Sequence, residues 1–152
     1  MSAFKKFLYD VYRLRWAVTR PVTLGVRLML IKENQVLLVK PTYQDGWFFP
    51  GGGVKRHETI EQTARREALE ETGADLGELE LVGIYALFND FKTDHIALFK
   101  CSDFTYSGQH DFEIDQIALF PLEALPPDMA PGHQRRIQEY LDGSPVLKFG
   151  PW

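Results

Sequence analysis

The residues best suited to chemistry in this 152-residue chain are four glutamates, Glu58, Glu67, Glu70 and Glu71. From Ile60 to Thr72 the chain reads IEQTARREALEET, with no Gly or Pro to interrupt it. Thr59 is of the type that caps a helix N-terminus, and Gly73 stands where a left-handed residue would end one. The stretch therefore predicts a helix. On it Glu67 lies i,i+3 from Glu70 and i,i+4 from Glu71, so three carboxylates share a face, beside an apolar stripe of Ile60, Ala64 and Ala68 that should pack on a sheet. Like charges stacked this way cost about 0.2–0.5 kcal/mol per i,i+4 pair. Arg66, i,i+4 from Glu70, offsets one of them. The remaining negative charge calls for a cation, and hard oxygen ligands suit Mg²⁺, which takes one or two carboxylates and completes its shell with water and substrate phosphates. A solvated acidic face is the ordinary alternative for a Glu-rich helix.

A glycine turn at a set distance before the helix weighs against that alternative. Three glycines, Gly51, Gly52 and Gly53, follow Phe49-Pro50. Gly52, five residues, Glu58, seven residues and then Arg66-Glu67-Ala68-Leu69-Glu70-Glu71-Thr72-Gly73-Ala74 resembles the Nudix box of the Nudix hydrolases at every fixed position. Many members carry Gly immediately before the first Glu, where this chain has His57; a positive φ there is one that His tolerates less well than Gly. The resemblance implies cleavage of the pyrophosphate of a nucleoside diphosphate linked to another moiety, with Mg²⁺ or Mn²⁺ as cofactor. It implies Glu70 and Glu71 as metal ligands, Glu67 as a ligand or the group that activates water, and Arg66 as the residue that orients the glutamates. Glu58 becomes an outer carboxylate and the Gly51 carbonyl a further ligand. A last acid from beyond the box would complete the site, with Glu113 the first choice and Asp115 the second. The aromatics Trp47, Tyr85 and Phe88 are candidates to hold a base or sugar, although core packing is the commoner use of a residue such as Trp47. His95 reads as structural, and His57, His110 and His133 receive no role.

Positioning these groups requires a frame. Val22–Ile31 is a β-rich run, Glu33-Asn34 supplies a turn, and Gln35–Val39 returns. Residues 41–46 read as loop. After the helix, strands are expected over 79–88, 95–101 and 112–120, with a polar loop at 104–111. A closing helix is expected over 132–141, stopped by Gly143. Residues 3–17 space Phe4, Phe7, Leu8, Val11 and Leu14 as an amphipathic helix, with packing on its own domain, a homodimer contact or a membrane surface as its uses. Strands and helices in mixed order indicate an α/β or α+β fold, with the glutamate helix against a mixed sheet. The resemblance sharpens this to the Nudix α/β/α sandwich. One domain is expected over 1–152, with a core from 21 to 142.

Charge and composition exclude several classes. The first twenty residues hold five basic side chains against Asp10, a balance of +4, so with a chain total of −4 the remainder carries −8. An acidic body argues against a DNA or RNA partner. The lone Cys101 rules out an internal disulfide and a cysteine metal cluster, reads as a buried strand residue, and fits a reducing, cytoplasmic setting. No apolar run approaches the roughly 18 residues that span a bilayer. Sequence features that mark NADH, coenzyme A and ADP-ribose members are absent; no proline occurs between Ala74 and Pro121, for instance. The expected substrate is thus a small nucleotide, either a (deoxy)nucleoside triphosphate or a nucleoside-diphosphate conjugate such as a sugar nucleotide. The rival class is a catalytically idle Nudix-fold module that senses a nucleotide, and intact Glu58, Glu67, Glu70 and Glu71 favour the enzyme. A scaffold built through residues 3–17 would leave the glutamate helix unexplained.

Overall fold

Period-two alternation of apolar side chains in β1 (Val22–Lys32) makes the strand two-faced. Val26, Leu28 and Leu30 point to one side and Met29 and Ile31 to the other, and both sets are buried. Each face carries a helix. The first set packs with Ala64 and Ala68 of α1 (Ile60–Thr72), and the second with Ile137 of α2 (Pro131–Leu141). The result is an α/β/α sandwich. The computed structural model describes residues 19, 21–89, 91–143 and 148–152, so the helix expected over 3–17 falls outside the described residues.

The central sheet has six strands in the order β7-β2-β1-β5-β4-β8. Here β2 is Gln35–Pro41, β4 Glu80–Asn89, β5 Lys92–Cys101, β7 Ile114–Pro121 and β8 Lys148–Pro151. Glu33 and Asn34 join β1 to β2 with φ of 51° and 61°, both in the left-handed region that a tight two-residue hairpin turn uses. Strand β1 runs parallel to β5 from Val22↔Thr93 to Leu30↔Cys101, which mixes the sheet. Two short strands, β3 (Ala74–Leu76) and β6 (Phe104–Tyr106), form a separate ribbon where the sequence predicts loop at 104–106. β8 is likewise unanticipated, β5 starts three residues before the expected His95, and β7 starts at Ile114, not Phe112.

One departure from regular pairing builds the site. β1 pairs with β2 only at Ile31↔Val36 and Lys32↔Gln35, next to their turn. Further along, the two strands part and the segment 48–54 wedges between them. The amide of Val26 donates to the Gly52 carbonyl at 2.9 Å, that of Leu28 to Pro50 at 2.9 Å, and that of Val54 to Leu24 at 3.0 Å. On its other side, Phe48 exchanges backbone bonds with Val39. The wedge thus satisfies β1's ladder groups while bringing the glycine turn against the strand.

Candidate active site

Helix α1 begins and ends as its sequence predicts. Thr59 accepts from the Gln62 amide at 3.1 Å, and the Gln62 side chain accepts from the Thr59 amide at 2.9 Å, a complete capping box. Gly73 ends the helix at φ 63°. The last turn's carbonyls are covered by the chain beyond β6: the amides of Ser107, Gly108 and Asp111 donate to Gly73, Thr72 and Glu70. Asp111 Oδ1 then accepts from the Glu113 amide at 2.9 Å, and the Glu113 carbonyl accepts from Thr42 at 2.8 Å. Glu113 is thereby carried to the site from the turn that precedes β7.

The buried stripe of α1 leaves its glutamates facing the wedge. A cleft of about 670 Å³ opens there, lined by the Gly51–Gly53 turn, Glu67, Glu71 and Glu113, and by Arg27 and Tyr43. Gly51 (φ 138°) lies so close to β1 that a Cβ would overlap the Val26 carbonyl oxygen. At Gly52 a Cβ would stand 2.5 Å from Glu67 Oε1, so the missing side chain is the space that this carboxylate occupies. His57 has φ 65°, the positive value that its place in the turn suggests.

Arg66 organises the carboxylates. Its Nε and Nη2 bond Glu58 at 2.7 and 2.9 Å, and its Nη1 reaches Glu67 at 2.6 Å and Glu70 at 3.0 Å. Glu58 also accepts from the Thr63 hydroxyl at 2.8 Å. Hydrogen bonding from Arg66, with smaller help from Thr63 and Lys55, holds the Glu58 carboxyl down to about 2. Glu71 is the opposite case. It is 8% exposed and accepts a hydrogen bond from the Gly51 amide at 2.8 Å. Burial pushes its carboxyl up to about 7, and the neighbouring charges of Glu67 and Asp111 add to the rise against the opposing pull of Gly51 and Arg27. Two carboxylates one residue apart therefore differ sharply in environment, Glu70 half open to solvent and Glu71 enclosed.

Some expected positions lie elsewhere. Trp47 and Tyr85, expected at a base or sugar, are buried in the core under α2. Trp47 packs edge-on to Phe120 at 4.8 Å, and Tyr85 lies under the Arg136 guanidinium at 4.1 Å. Phe88 is 71% exposed but does not line the cleft. Its partner on β5 is Thr93, whose side chain points away from the sheet face of Lys92 and Asp94, two residues that do line the cleft. Glu70, Asp115 and His95 are also outside the lining. The Gly51 carbonyl is taken by the Arg27 guanidinium. Among the described residues, no three of His, Cys, Asp and Glu stand together closely enough to hold a metal. Arg27 and Tyr43 are cleft residues that the sequence reading passes over. A lone charge inside the apolar run VTLGVRLML was the available signal for Arg27.

Comparison with known proteins agrees with this geometry. The chain is 38% identical over 56 residues to an RNA pyrophosphohydrolase of Hydrogenovibrio crunogenus, covering 37% of this chain and 34% of that one. It is 33% identical over 102 residues to a provisionally named mutator protein, MutT4, of Mycobacterium tuberculosis, covering 63% and 41%. The match thus spans between a third and about two-fifths of those relatives' own length. Among solved structures, a NUDIX hydrolase from Nitrosomonas europaea superposes with a TM-score of 0.68 at 27% identity, covering 86% of this chain and 78% of that one. The NUDIX domain family model matches residues 20–140, which takes in the wedge, the glutamate helix and all but one of the sheet strands; this chain belongs to the Nudix family.

Proposed function

We propose that this chain hydrolyses a phosphoanhydride bond of a small nucleotide, a (deoxy)nucleoside triphosphate or a nucleoside-diphosphate conjugate such as a sugar nucleotide, with Mg²⁺ or Mn²⁺. The observation that carries the reading is the enclosed Glu71 beside Glu67, both facing one cleft across the Gly51–Gly52 turn. An enclosed carboxylate with one amide donor has acceptor sites to spare, and hard oxygens are what these cations prefer, so the residues fit a divalent cation. Glu67 and Glu71 would hold it, with Glu113 across the cleft; Glu70, which pairs with Arg66 outside the lining, and the Gly51 carbonyl, bonded by Arg27, would join only on exchanging those partners. Bound there, the cation supplies a Lewis acid and neutralises phosphate charge.

The chain's own groups do the rest. Arg66 keeps the glutamates oriented and its fork is fully engaged in doing so. Arg27 presents a guanidinium to the cleft, suited to phosphate oxygens. Glu67, where it does not ligate the cation, would take the proton of an attacking water, and Tyr43 lines the same cleft. Relatives carrying names such as pyrophosphohydrolase and diphosphatase support the reaction class.

The test is a panel of nucleoside triphosphates and nucleotide sugars with Mg²⁺, Mn²⁺ or EDTA, resolved by chromatography. Nucleoside monophosphate plus pyrophosphate marks a triphosphate substrate, and monophosphate plus a sugar phosphate marks a conjugate. Binding of a nucleotide without product would instead fit the idle module. A parallel melting experiment reads the cation: at 100 times its Kd it adds about 2.7 kcal/mol, which in a chain of this size raises Tm by about 5–10 °C. Identical melting curves in EDTA and Mn²⁺ would overturn the metal assignment.

A further inference from the structure

The cleft continues past the glutamates to a second polar group that the proposed reaction does not use. Thr23 and Asp94 sit opposite one another in the parallel β1–β5 pair, and both line the cleft, as does Lys92. The Thr23 hydroxyl donates to Asp94 Oδ1 at 2.7 Å, and Lys92 Nζ approaches Asp94 Oδ2 at 3.3 Å. Asp94 is thus held from both sides. A carboxylate has about four acceptor sites, so two remain after these bonds, one on each oxygen.

Position along β1 says what meets them. Glu67 lies against Gly52 and Glu71 against Gly51, which flank residues 25–27 of the strand. Thr23 is four residues before Arg27, a rise of about 13 Å. With an anhydride at Glu67 and Glu71, the Asp94 end, about 7 to 13 Å along the strand, would receive the part of the substrate that carries no phosphate. Chemistry points the same way, because a carboxylate repels phosphate oxygens and rewards hydrogen-bond donors. Ile96, two residues on from Asp94 and opposite Gly25, supplies apolar surface on the same face.

We propose that Asp94, braced by Thr23 and Lys92, determines substrate specificity by accepting hydrogen bonds from two adjacent donors on the nucleoside. Either the N1–H and 2-amino edge of a guanine-type base or the vicinal hydroxyls of a ribose presents such a pair. The inference rests on the nucleotide-hydrolase reading above and names the substrate feature that its site selects.

The experiment measures kcat and KM with Mg²⁺ for GTP, ITP and 2′,3′-dideoxy-GTP, in wild type, Asp94→Asn and Thr23→Val. ITP lacks the 2-amino group and the dideoxy compound lacks the diol, so the pair separates the two sources. Expected is a wild-type preference for GTP over one of the two, and a KM for GTP that rises about 10- to 100-fold in Asp94→Asn, as loss of hydrogen bonds to a charged acceptor implies. Against the analogue lacking the donors, KM should move little. Thr23→Val, which leaves the carboxylate in place, should erode the same preference more weakly, and circular dichroism checks that both variants fold. If wild type turns over all three without preference, or if Asp94→Asn lowers kcat/KM equally on all three, the assignment is overturned and the hydrolase reading stands. If wild type neither binds nor cleaves any of them or any other nucleotide of the panel, both fail together.

Discussion

Arg66 is ringed by Glu58, Glu67 and Glu70, while Glu71, next in the chain, has turned away to the Gly51 amide. That division separates two tasks. One carboxylate, Glu58, is kept charged as a fixed anchor for the arginine, and one, Glu71, is enclosed where burial makes its charge costly, a cost that the proposed cation would offset. Replacing Glu67, Glu70 or Glu71 by Gln keeps the shape and removes the charge. Each variant should fold, as judged by circular dichroism, and should lower kcat by about 10²–10⁴-fold, the range seen when a positioned proton-transfer group is lost. Near-normal turnover in all three would move the active site elsewhere.

At the scale of elements, the wedge between β1 and β2 depends on backbone reaching backbone. Gly51→Ala puts a methyl group into the Val26 carbonyl and forces an L residue to φ 138°, so it should cost about 1–3 kcal/mol from strain alone and displace the turn from Glu71. Urea unfolding and turnover should both register the change. His57, at φ 65° just before Glu58, is strained more gently. A β-branched replacement, His57→Val, should lose about 1–2 kcal/mol, whereas His57→Gly should be at least as stable as the parent. Equal stability of the Val and Gly variants would show that the turn does not hold this conformation in solution.

Across the whole molecule, the two helix layers communicate through His133. This α2 residue is buried, its Nδ1 accepts from the Phe49 amide at 3.0 Å, and its ring packs edge-on to Phe48, Phe49 and Trp152. It thus ties the far helix to the segment that enters the glycine turn. Burial, with the nearby charge of Arg27, holds its imidazole well below the usual 6.5, so the folded protein keeps it neutral. The unfolded chain binds a proton that the folded one refuses. The stability His133 contributes is therefore present above pH 6.5 and is lost as pH falls below it, by up to about 1.4 kcal/mol per pH unit. Glu71 acts in the opposite sense between pH 4.5 and about 7, since its raised carboxyl favours the folded state at the lower end. Comparing variants isolates the histidine: His133→Asn keeps an acceptor for Phe49 but cannot be protonated. Its stability relative to wild type, from urea unfolding at pH 7.5 and 5.5, should improve at the lower pH. An unchanged difference would mean that His133 titrates normally.

Local information sufficed for α1, because a Thr59 cap, an uninterrupted run and a Gly73 terminator act within a few residues. The same is true of the β1–β2 hairpin and of the spacing that places Glu67 and Glu71 on one face. Glu113 was reachable as an acid expected from beyond the box, and it does line the cleft. Trp47 and Tyr85 were not separable from pocket aromatics by type alone, since burial under α2 depends on where Leu122, Met129 and Ile137 come to rest. The β3–β6 ribbon and β8 are three or four residues each, too short for a periodic signal, and they exist as partners to distant chain. Thr23 and Asp94 are 71 residues apart and meet only through the parallel β1–β5 register. Sequence by itself determined the helix, its carboxylates and the glycine turn, all products of short-range sterics and hydrogen bonding. Which wall of the cleft faces those carboxylates, and with what chemistry, was decided by long-range strand pairing, whose partners no local pattern names.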